Sequence, residues 1–483
     1  MESSPASTAA AQAEGSPDPG RWKSLAVVLC AAFLVALNFF IVNVSIPSIR
    51  ASLHATFAEV QFVIASYGLT YSVFLISGGR LGDIYGRKRI FICGVIAFTA
   101  ASMLCGLAPS PVFLIGARVL QGVSAALVFP QVLAIMQVTF PQKERAKAFG
   151  LYGTVIGTSS FLGNVLGGLL VSANLFDLGW RPIFLINIPF GLAVLASAKF
   201  VKESQSPKAR RLDLGGVAIM ILGLTLLLYP LVQGRETGWP VWAFVSMAAF
   251  VPVMIVFVLY EKRIAEGRGS PLVELSLFQD RAFVIGLNSG ICFFGGTAAF
   301  LFVSTVFLQN GLGYSAREAG LTFAWFAIAF LGSSLASVRI QPKLGSRIIN
   351  LGAALMITGL TALLFLTSWR GASLRGLELA PALVVYGAGQ GFVMPTLIST
   401  ILINIHGHDA GSASGVLSTV QQASFAIGVA VIGTVFFSIL GSHTSAEAFI
   451  HALRSALSVN IGLLVLTFVL ILQIPRFPTS VVR

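Results

Sequence analysis

Long uninterrupted runs of apolar residues dominate this chain, and about 20 such residues suffice for a helix to cross a bilayer. Fourteen runs lie at approximately 24–46, 60–79, 90–108, 112–136, 149–172, 182–198, 214–233, 241–260, 282–309, 319–338, 348–368, 379–403, 412–440 and 455–475. Polar residues do not alternate with apolar ones inside them, as they would in the strands of a membrane barrel. The pattern therefore predicts an all-α membrane protein with about 14 transmembrane helices.

The composition supports this interpretation. Hydrophobic residues make up 56% of the 483 residues and charged residues only 10%, whereas about 25% of an ordinary soluble domain is charged. A soluble core cannot bury this much apolar surface, and the exposed remainder would aggregate. The composition argues against a disordered protein, a nucleic-acid binder and a soluble enzyme.

The distribution of positive charge predicts the orientation in the membrane. If the N-terminus is cytoplasmic, 23 of the 31 Lys and Arg residues fall in inner segments and 7 in outer segments, and Arg118 alone lies within a run. Cytoplasmic loops carry the excess of Lys and Arg, so both termini are expected in the cytoplasm. The basic loops would touch anionic headgroups, and we expect no nucleic-acid partner.

The longest charged connections, 199–213 and 261–281, divide the chain into two six-helix bundles separated by an inserted helix pair. Two related halves around a midplane cavity are a common plan of secondary transporters. The predicted divisions are a flexible cytoplasmic tail at 1–23, an N-terminal bundle at 24–198, a linker with two extra helices at 199–281, a C-terminal bundle at 282–475 and a cytoplasmic tail at 476–483.

Five stretches resemble the major facilitator superfamily, specifically its fourteen-span drug:proton antiporter branch, over nearly the whole chain. The loop Gly79–Arg89 is similar to the cytoplasmic loop signature of the superfamily, and Arg118–Gly122 is similar to its embedded R-x-x-Q-G motif. The stretch at 37–47 resembles the first-span pattern of the branch, and weaker similarities lie at 157–168 and at 409–422. Two positions depart from the branch: Asn38 stands where an acid is usual in the first span, and Gly163-Asn164 replaces Gly-Pro in the fifth.

The resemblance implies that the loop signature forms a gate on the cytoplasmic side. Its candidate gating residues are Gly79, Asp83, Gly86, Arg87 and Arg89. Asp83 and Arg87 are four residues apart and can share a helix face, and an acid near a helix start can lock two helices in one state. The alternative is a basic turn that only sets the topology.

Arg118 is expected to need a partner or water, because a charge in a span costs at least ~2.5 kcal/mol. It either lines a cavity and binds an anionic or polar group, or it bonds neighbouring helices and holds the N-terminal half together. Other side chains share this ambiguity between lining a cavity and packing. The candidate substrate-binding or cavity residues are Asn38, Arg118, Gln121, Asn164, Asn288, Phe294, Trp325, Gln390 and Gln421.

Proton coupling needs a titratable group that burial can tune, yet every Asp and Glu lies outside the predicted spans. The candidates at the mouths of the spans are Glu59, Asp83, Glu318, Glu378 and Asp409. No catalytic constellation, metal site or cofactor-binding motif is recognised.

The sequence thus predicts a multi-pass protein of a cell membrane, most simply a bacterial inner membrane. It would export amphipathic drugs or metabolites by alternating access with proton antiport. The alternatives are a uniporter or exporter of an organic anion without proton coupling, and a membrane sensor that transports nothing. Its expected partners are a small-molecule substrate, the lipid bilayer and protons.

Overall fold

The chain folds into long helices, and its computed structural model contains no strand in the residues that it describes. These are residues 19–206, 213–234, 237–267, 271–314, 316–345, 347–371, 374–402, 405, 409–441 and 443–473. Continuous apolar sequence favours helices in lipid because each helix satisfies its own backbone hydrogen bonds.

Fourteen helical segments follow one another in the described parts of the chain. They are α1 Arg21–Leu53, α2 Phe57–Tyr85, α3 Arg87–Gly106, α4 Pro111–Thr139, α5 Gln142–Ala173, α6 Pro182–Phe200, α7 Leu214–Gln233, α8 Val241–Glu266, α9 Arg281–Val306, α10 Ala316–Leu344, α11 Arg347–Arg370, α12 Ala380–Leu402, α13 Ala410–Leu440 and α14 Ala446–Leu472. Thirteen contain a stretch long and apolar enough to cross a membrane, and α5, with 32 residues, has the length to do so. The prediction of about fourteen membrane helices is confirmed.

Several helices differ from the predicted runs at their ends. Helix α6 is broken at Ile186, between a short segment that ends at Leu185 and a longer one that begins at Asn187. Helix α8 continues from the predicted limit at 260 to Glu266. Glu261 therefore lies within α8 and not in the connection after it, because polar residues at a helix end do not stop a helix that packs against a neighbour. The expectation that every acid lies outside the membrane spans stays a prediction.

The helices form two six-helix bundles and an inserted pair. Helices α1 to α6 pack on one another, as do α9 to α14. Helices α7 and α8 pack together, and α7 also contacts α2 in the first bundle and α13 in the second. The exact boundaries proposed from the sequence stay a prediction.

The bundles approach each other most closely where α2 and α4 meet α13 and where α5 meets α10 and α12. On the side of the basic loops, three helix ends at the contact between the bundles are buried on every face, namely residues 128–137 of α4, 393–402 of α12 and 410–419 of α13. The opposite halves of the same helices alternate between buried and exposed positions. The protein is therefore closed on the side that carries most of its positive charge.

Candidate functional site

A sharp turn joins α2 to α3 on the closed side, and its backbone depends on Gly86. Helix α2 ends at Tyr85, and Gly86 has a φ of 103°, a conformation that residues with a Cβ atom rarely adopt. Helix α3 then starts at once at Arg87. The turn brings the end of α2 and the start of α3 together, and with them the predicted gating residues.

Asp83 and Arg87 form a buried ion pair across this turn. Arg87 Nη2 donates to Asp83 Oδ1 at 2.7 Å and Nε to the same oxygen at 3.2 Å. The side chains are only 0% and 1% exposed. Breaking such a pair by removing one partner leaves an uncompensated buried charge, so the two residues act as a unit.

The Asp83 carboxylate also lies against the N-terminus of α13, in the other bundle. A Cβ atom on Gly411 would collide with it, and a Cβ atom on Gly79 would lie 2.5 Å from the carbonyl oxygen of Gly411. Asp83 is within hydrogen-bonding reach of the Ser412 backbone. Because a helix N-terminus attracts negative charge, Asp83 holds α13 against α2 as long as it is ionised and no larger residue intervenes.

Gln137 makes a second contact between the bundles that the sequence did not reveal. Its Nε2 atom, at the end of α4, donates to the carbonyl oxygens of Leu402 at 2.8 Å and Ile405 at 3.0 Å. These carbonyls belong to the last turn of α12 and the residues just after it. Asp83 therefore contacts the start of α13, and Gln137 contacts the end of α12, on either side of the connection between these two helices.

The segment after α6 covers the turn between α2 and α3. Glu203 accepts hydrogen bonds from the backbone N–H groups of Lys88 and Arg89 at 3.0 and 3.1 Å, so it caps α3 from a distance in sequence. The Ser206 N–H donates to the Asp83 carbonyl. Arg89 itself is 78% exposed, and its Nε lies 3.8 Å from Glu203 Oε2. Solvent screens such a contact, and the gating role of Arg89 stays a prediction.

The other contact between the bundles involves α5. Thr154 and Ser334 share a hydrogen bond of 2.6 Å, and the absence of a side chain at Gly157 accommodates the ring of Phe330. Pro395 packs in the same way against Gly153. Small residues at such positions let helix backbones approach closely in a membrane.

Arg118 is enclosed by its own bundle. Its Nε donates to the Val63 carbonyl at 3.1 Å and its Nη1 to Gln121 Oε1 at 2.7 Å. Its guanidinium carbon lies 4.1 Å from the ring centroid of Tyr67 and 5.8 Å from that of Phe184. The side chain is 1% exposed, and planar guanidinium groups suit such stacked, multiply bonded sites.

A chain of amides continues from Arg118 to Asn38. Gln121 Nε2 donates to Asn38 Oδ1 at 3.2 Å and to Ser102 Oγ at 2.7 Å. Asn38 and Asn187 then exchange reciprocal hydrogen bonds of 2.7 and 3.1 Å. This network ties together α1, α3, α4 and α6.

The geometry favours the structural role that the sequence left open for Arg118. Two small apolar cavities lie one inside each bundle, and Arg118, Gln121 and Asn38 line neither of these two. The proposal that these residues line a cavity stays a prediction about a different conformation of the protein.

Buried aromatic residues of the N-terminal bundle form a connected row, and Tyr71 in this row reaches the other bundle. Tyr67 stacks on Tyr71, which packs edge-on against Phe129, and Phe129 contacts Tyr152. Tyr71 lies within reach of the Gln422 side chain on α13. The hydroxyl group of Tyr152 is buried without a hydrogen-bond partner in the described structure, which is costly unless a ligand or water joins it.

The C-terminal bundle carries a matching aromatic row. Tyr386 lies between Phe300, at 4.3 Å between ring centroids, and Phe326, which contacts Phe330. The Tyr386 hydroxyl lies within hydrogen-bonding reach of the Thr297 side chain, and Gln390 Oε1 is buried without a partner in the described residues. Sequence reasoning missed the tyrosines; their signal was that Tyr is rare here, with 8 residues against 38 Phe.

The remaining predicted cavity residues do not converge on Arg118. Gln421 and Phe294 are buried, and Phe294 packs edge-on against Phe425. Asn288 is exposed and bonded to its own helix at the Val284 carbonyl, and Trp325 is 43% exposed. The Asn164 side chain lies outside the described residues.

The candidate coupling acids occupy different environments. Glu59 accepts hydrogen bonds from the Thr56 backbone and hydroxyl, which hold the pKa of its exposed carboxyl below the ordinary value. Glu378 pairs with Arg370 and caps the backbone of Arg375. Glu318 is exposed in the first turn of α10. Asp83 lies at the contact between the bundles, and Asp409 is the N-cap of α13 at the same contact. Which of the five candidates couples protons stays a prediction.

Comparison with known proteins explains why the chain has this architecture. The sequence model described as Major Facilitator Superfamily matches residues 28–429. This chain belongs to the Major Facilitator Superfamily. It is therefore a membrane transporter of small molecules and not an enzyme. Two solved transporters share its fold. The human organic anion transporter MFSD10 (TETRAN) has a TM-score of 0.65 and 17% sequence identity, and the match covers 94% of this chain and 99% of that one. The proton:xylose symporter XylE has a TM-score of 0.66 and 15% identity, and the match covers 95% of this chain and 96% of that one.

Curated superfamily members of bacteria are more similar in sequence. A "Probable actinorhodin transporter" of Streptomyces coelicolor is 41% identical over 89% of this chain and 75% of its own length. The puromycin resistance protein pur8 of Streptomyces alboniger is 34% identical over 94% and 91%, and the multidrug resistance protein Stp of Mycobacterium tuberculosis is 33% identical over 83% and 73%. This superfamily member is thus a multi-pass bacterial membrane protein.

Proposed function

We propose that this protein exports amphipathic aromatic compounds from a bacterial cell by alternating access, driven by proton antiport. The observation that carries the proposal is the closure of the two bundles at the basic-loop side, with Asp83 and Gln137 holding the ends of α13 and α12. By the positive-inside rule that side faces the cytoplasm, and both termini lie there. The structure would then be the state that opens outward.

The lining of the contact between the bundles supports the substrate class. Tyr71 of the first bundle reaches Gln422 of the second, and the ring of Phe330 of the second bundle lies against Gly157 of the first. The hydroxyl of Tyr152 is buried without a partner in the described structure. Flat rings can stack there, and polar substituents can satisfy this hydroxyl. Similar proteins are named for actinorhodin transport, puromycin resistance and tetracenomycin C resistance and export, which favours the same class for this chain.

Asp83 is the group through which we propose that protons act on the gate. Protonation would remove the charge that holds the α13 N-terminus and would weaken the pair with Arg87. The bundles, residues 24–198 and 282–475, would then rock apart on the cytoplasmic side and admit substrate. Arg118 would hold the N-terminal bundle rigid during this motion. The anion-uniporter alternative depends on an accessible Arg118 and gains no support from its enclosure.

Everted membrane vesicles test this proposal. A fluorescent aromatic dye is expected to accumulate in vesicles that contain the protein when their interior is acidic, because the outer face of the transporter points inward and protons leave as dye enters. Accumulation should stop when an ionophore collapses the pH gradient, and vesicles without the protein give the background. Uptake that continues unchanged without a gradient would contradict antiport, and background uptake under all conditions would contradict transport of this class.

A further inference from the structure

Two carboxyl groups meet at the end of the inserted helix pair, next to the closed gate. Asp213 is the N-cap of α7, where its Oδ1 accepts from the Gly216 N–H at 3.0 Å and from the Tyr260 hydroxyl at 3.0 Å. Glu261 projects from α8 and is 0% exposed. A Cβ atom on Gly216 would collide with both Glu261 Oε1 and Asp213 Oδ2, so these two oxygens lie over the same point.

The facing oxygens lack a donor. Glu261 Oε1 and Asp213 Oδ2 are both buried without a hydrogen-bond partner in the described structure, although the two carboxyl groups are within hydrogen-bonding reach of each other. Ionised carboxylates only accept hydrogen bonds. A single proton between them turns a repulsive contact into a hydrogen bond, as in other pairs of close carboxyl groups.

The other groups that face Glu261 do not supply this proton. Its Oε2 accepts from the Val273 N–H at 3.2 Å, and the Leu272 N–H is within reach. Tyr260 is the further titratable group recorded beside the pair among the described residues, and its hydroxyl is committed to Asp213. On the exposed face of α8, Lys262 lies 3.9 Å from Glu266.

We propose that Asp213 and Glu261 form a proton-binding site that holds one proton between them and thereby fixes the linker after α8. The linker connects the site to the gate. Val273 in the linker donates to Glu261, and the residue after it, Glu274, directs its N–H toward Ser412 Oγ at 3.5 Å. Ser412 lies close to the α13 N-terminus that Asp83 contacts. Loss of the shared proton sets two buried negative charges against each other and loosens α8, the linker or both. Proton binding by this pair requires no transport, so the site can be tested independently of the proposed export.

Infrared difference spectra of the purified protein in lipid test the site directly. Between about pH 5 and about pH 9, which brackets ordinary and raised carboxyl pKa values, the wild type is expected to lose one protonated-carboxyl band as the pH rises. Glu261→Gln keeps the shape and should lack this band, as should Asp213→Asn if the proton is shared. The matched control Glu266→Gln should retain it. The same band in wild type and in both site variants would overturn the proposal.

Hydrogen–deuterium exchange of the linker, residues 271–277, tests the mechanical consequence. After correction for the intrinsic effect of pH, exchange in the wild type should rise at least tenfold at alkaline pH. In Glu261→Gln it should stay slow, because the amide donates the hydrogen bond at every pH. An equal rise in both proteins would overturn the role of the proton in holding the linker.

Discussion

Replacing Asp83 by Asn is expected to reduce export about tenfold or more, while the protein still inserts in the membrane. The neutral amide loses the attraction to the N-terminus of α13, worth up to ~2 kcal/mol in buried geometries. It also leaves Arg87 buried without its carboxylate, and removing one partner of a buried pair costs about 3–5 kcal/mol. Since 1.36 kcal/mol corresponds to a factor of ten, the closed state should lose most of its advantage. Dye efflux from whole cells measures this effect.

The control for Asp83 is the same substitution at Asp177, an exposed residue in the turn after α5, which should leave efflux unchanged. Asp83→Glu separates charge from fit. It keeps the charge, but Gly79 and Gly411 leave no room for another methylene group, so efflux should fall here as well. Normal efflux by Asp83→Asn at an equal amount of inserted protein would contradict the gate.

Arg118→Leu is expected to lower the thermal stability of the N-terminal bundle without lowering the affinity of the folded protein for substrate. The substitution removes one donor from the Val63 carbonyl and leaves Gln121 Oε1 with only the Cys105 thiol at 3.7 Å, and a poorly bonded buried acceptor costs up to ~1–3 kcal/mol. Removing a buried charge offsets part of this loss, so we expect a net loss of about 2 kcal/mol. Unfolding in detergent and dye binding to the folded fraction measure the two quantities.

Arg118→Lys sharpens this test, because an ammonium keeps the charge but cannot reproduce the two-pronged bonding and stacking of guanidinium. It should be destabilised too. The matched control is Arg50→Gln at the exposed end of α1, which should behave as wild type. Unchanged stability with lost dye binding in Arg118→Leu would show instead that Arg118 contacts substrate.

The sequence was sufficient to predict the membrane helices and the chemistry of the gate loop. Hydropathy reports the length of an apolar run directly, and the spacing of Asp83 and Arg87 already places both on one helix face. Gly86 has a positive φ at the turn between α2 and α3, a conformation that favours glycine.

The sequence did not show in the same way which helices pack side by side. Lipid tails are as apolar as a protein core, so an apolar helix face does not reveal whether it meets lipid or another helix. Asn187, which completes the amide chain from Arg118, lies inside the apolar run 182–198, whose hydropathy does not show which helices it meets. Glu261 directly follows the predicted end of α8. Its burial depends on packing against α7 and the linker, and the apolar pattern of α8 alone does not report that packing.

Distances between spin labels on the two sides of the protein test alternating closure most directly. One pair, at the exposed positions Tyr85 and Leu351, reports the basic-loop side, and the other, at Phe176 and Leu377, reports the opposite side. The wild type should show one short distance for the first pair. Asp83→Asn should add a longer population there and a shorter one for the second pair. Distributions that are the same in wild type and variant at both pairs would contradict a gate held by Asp83.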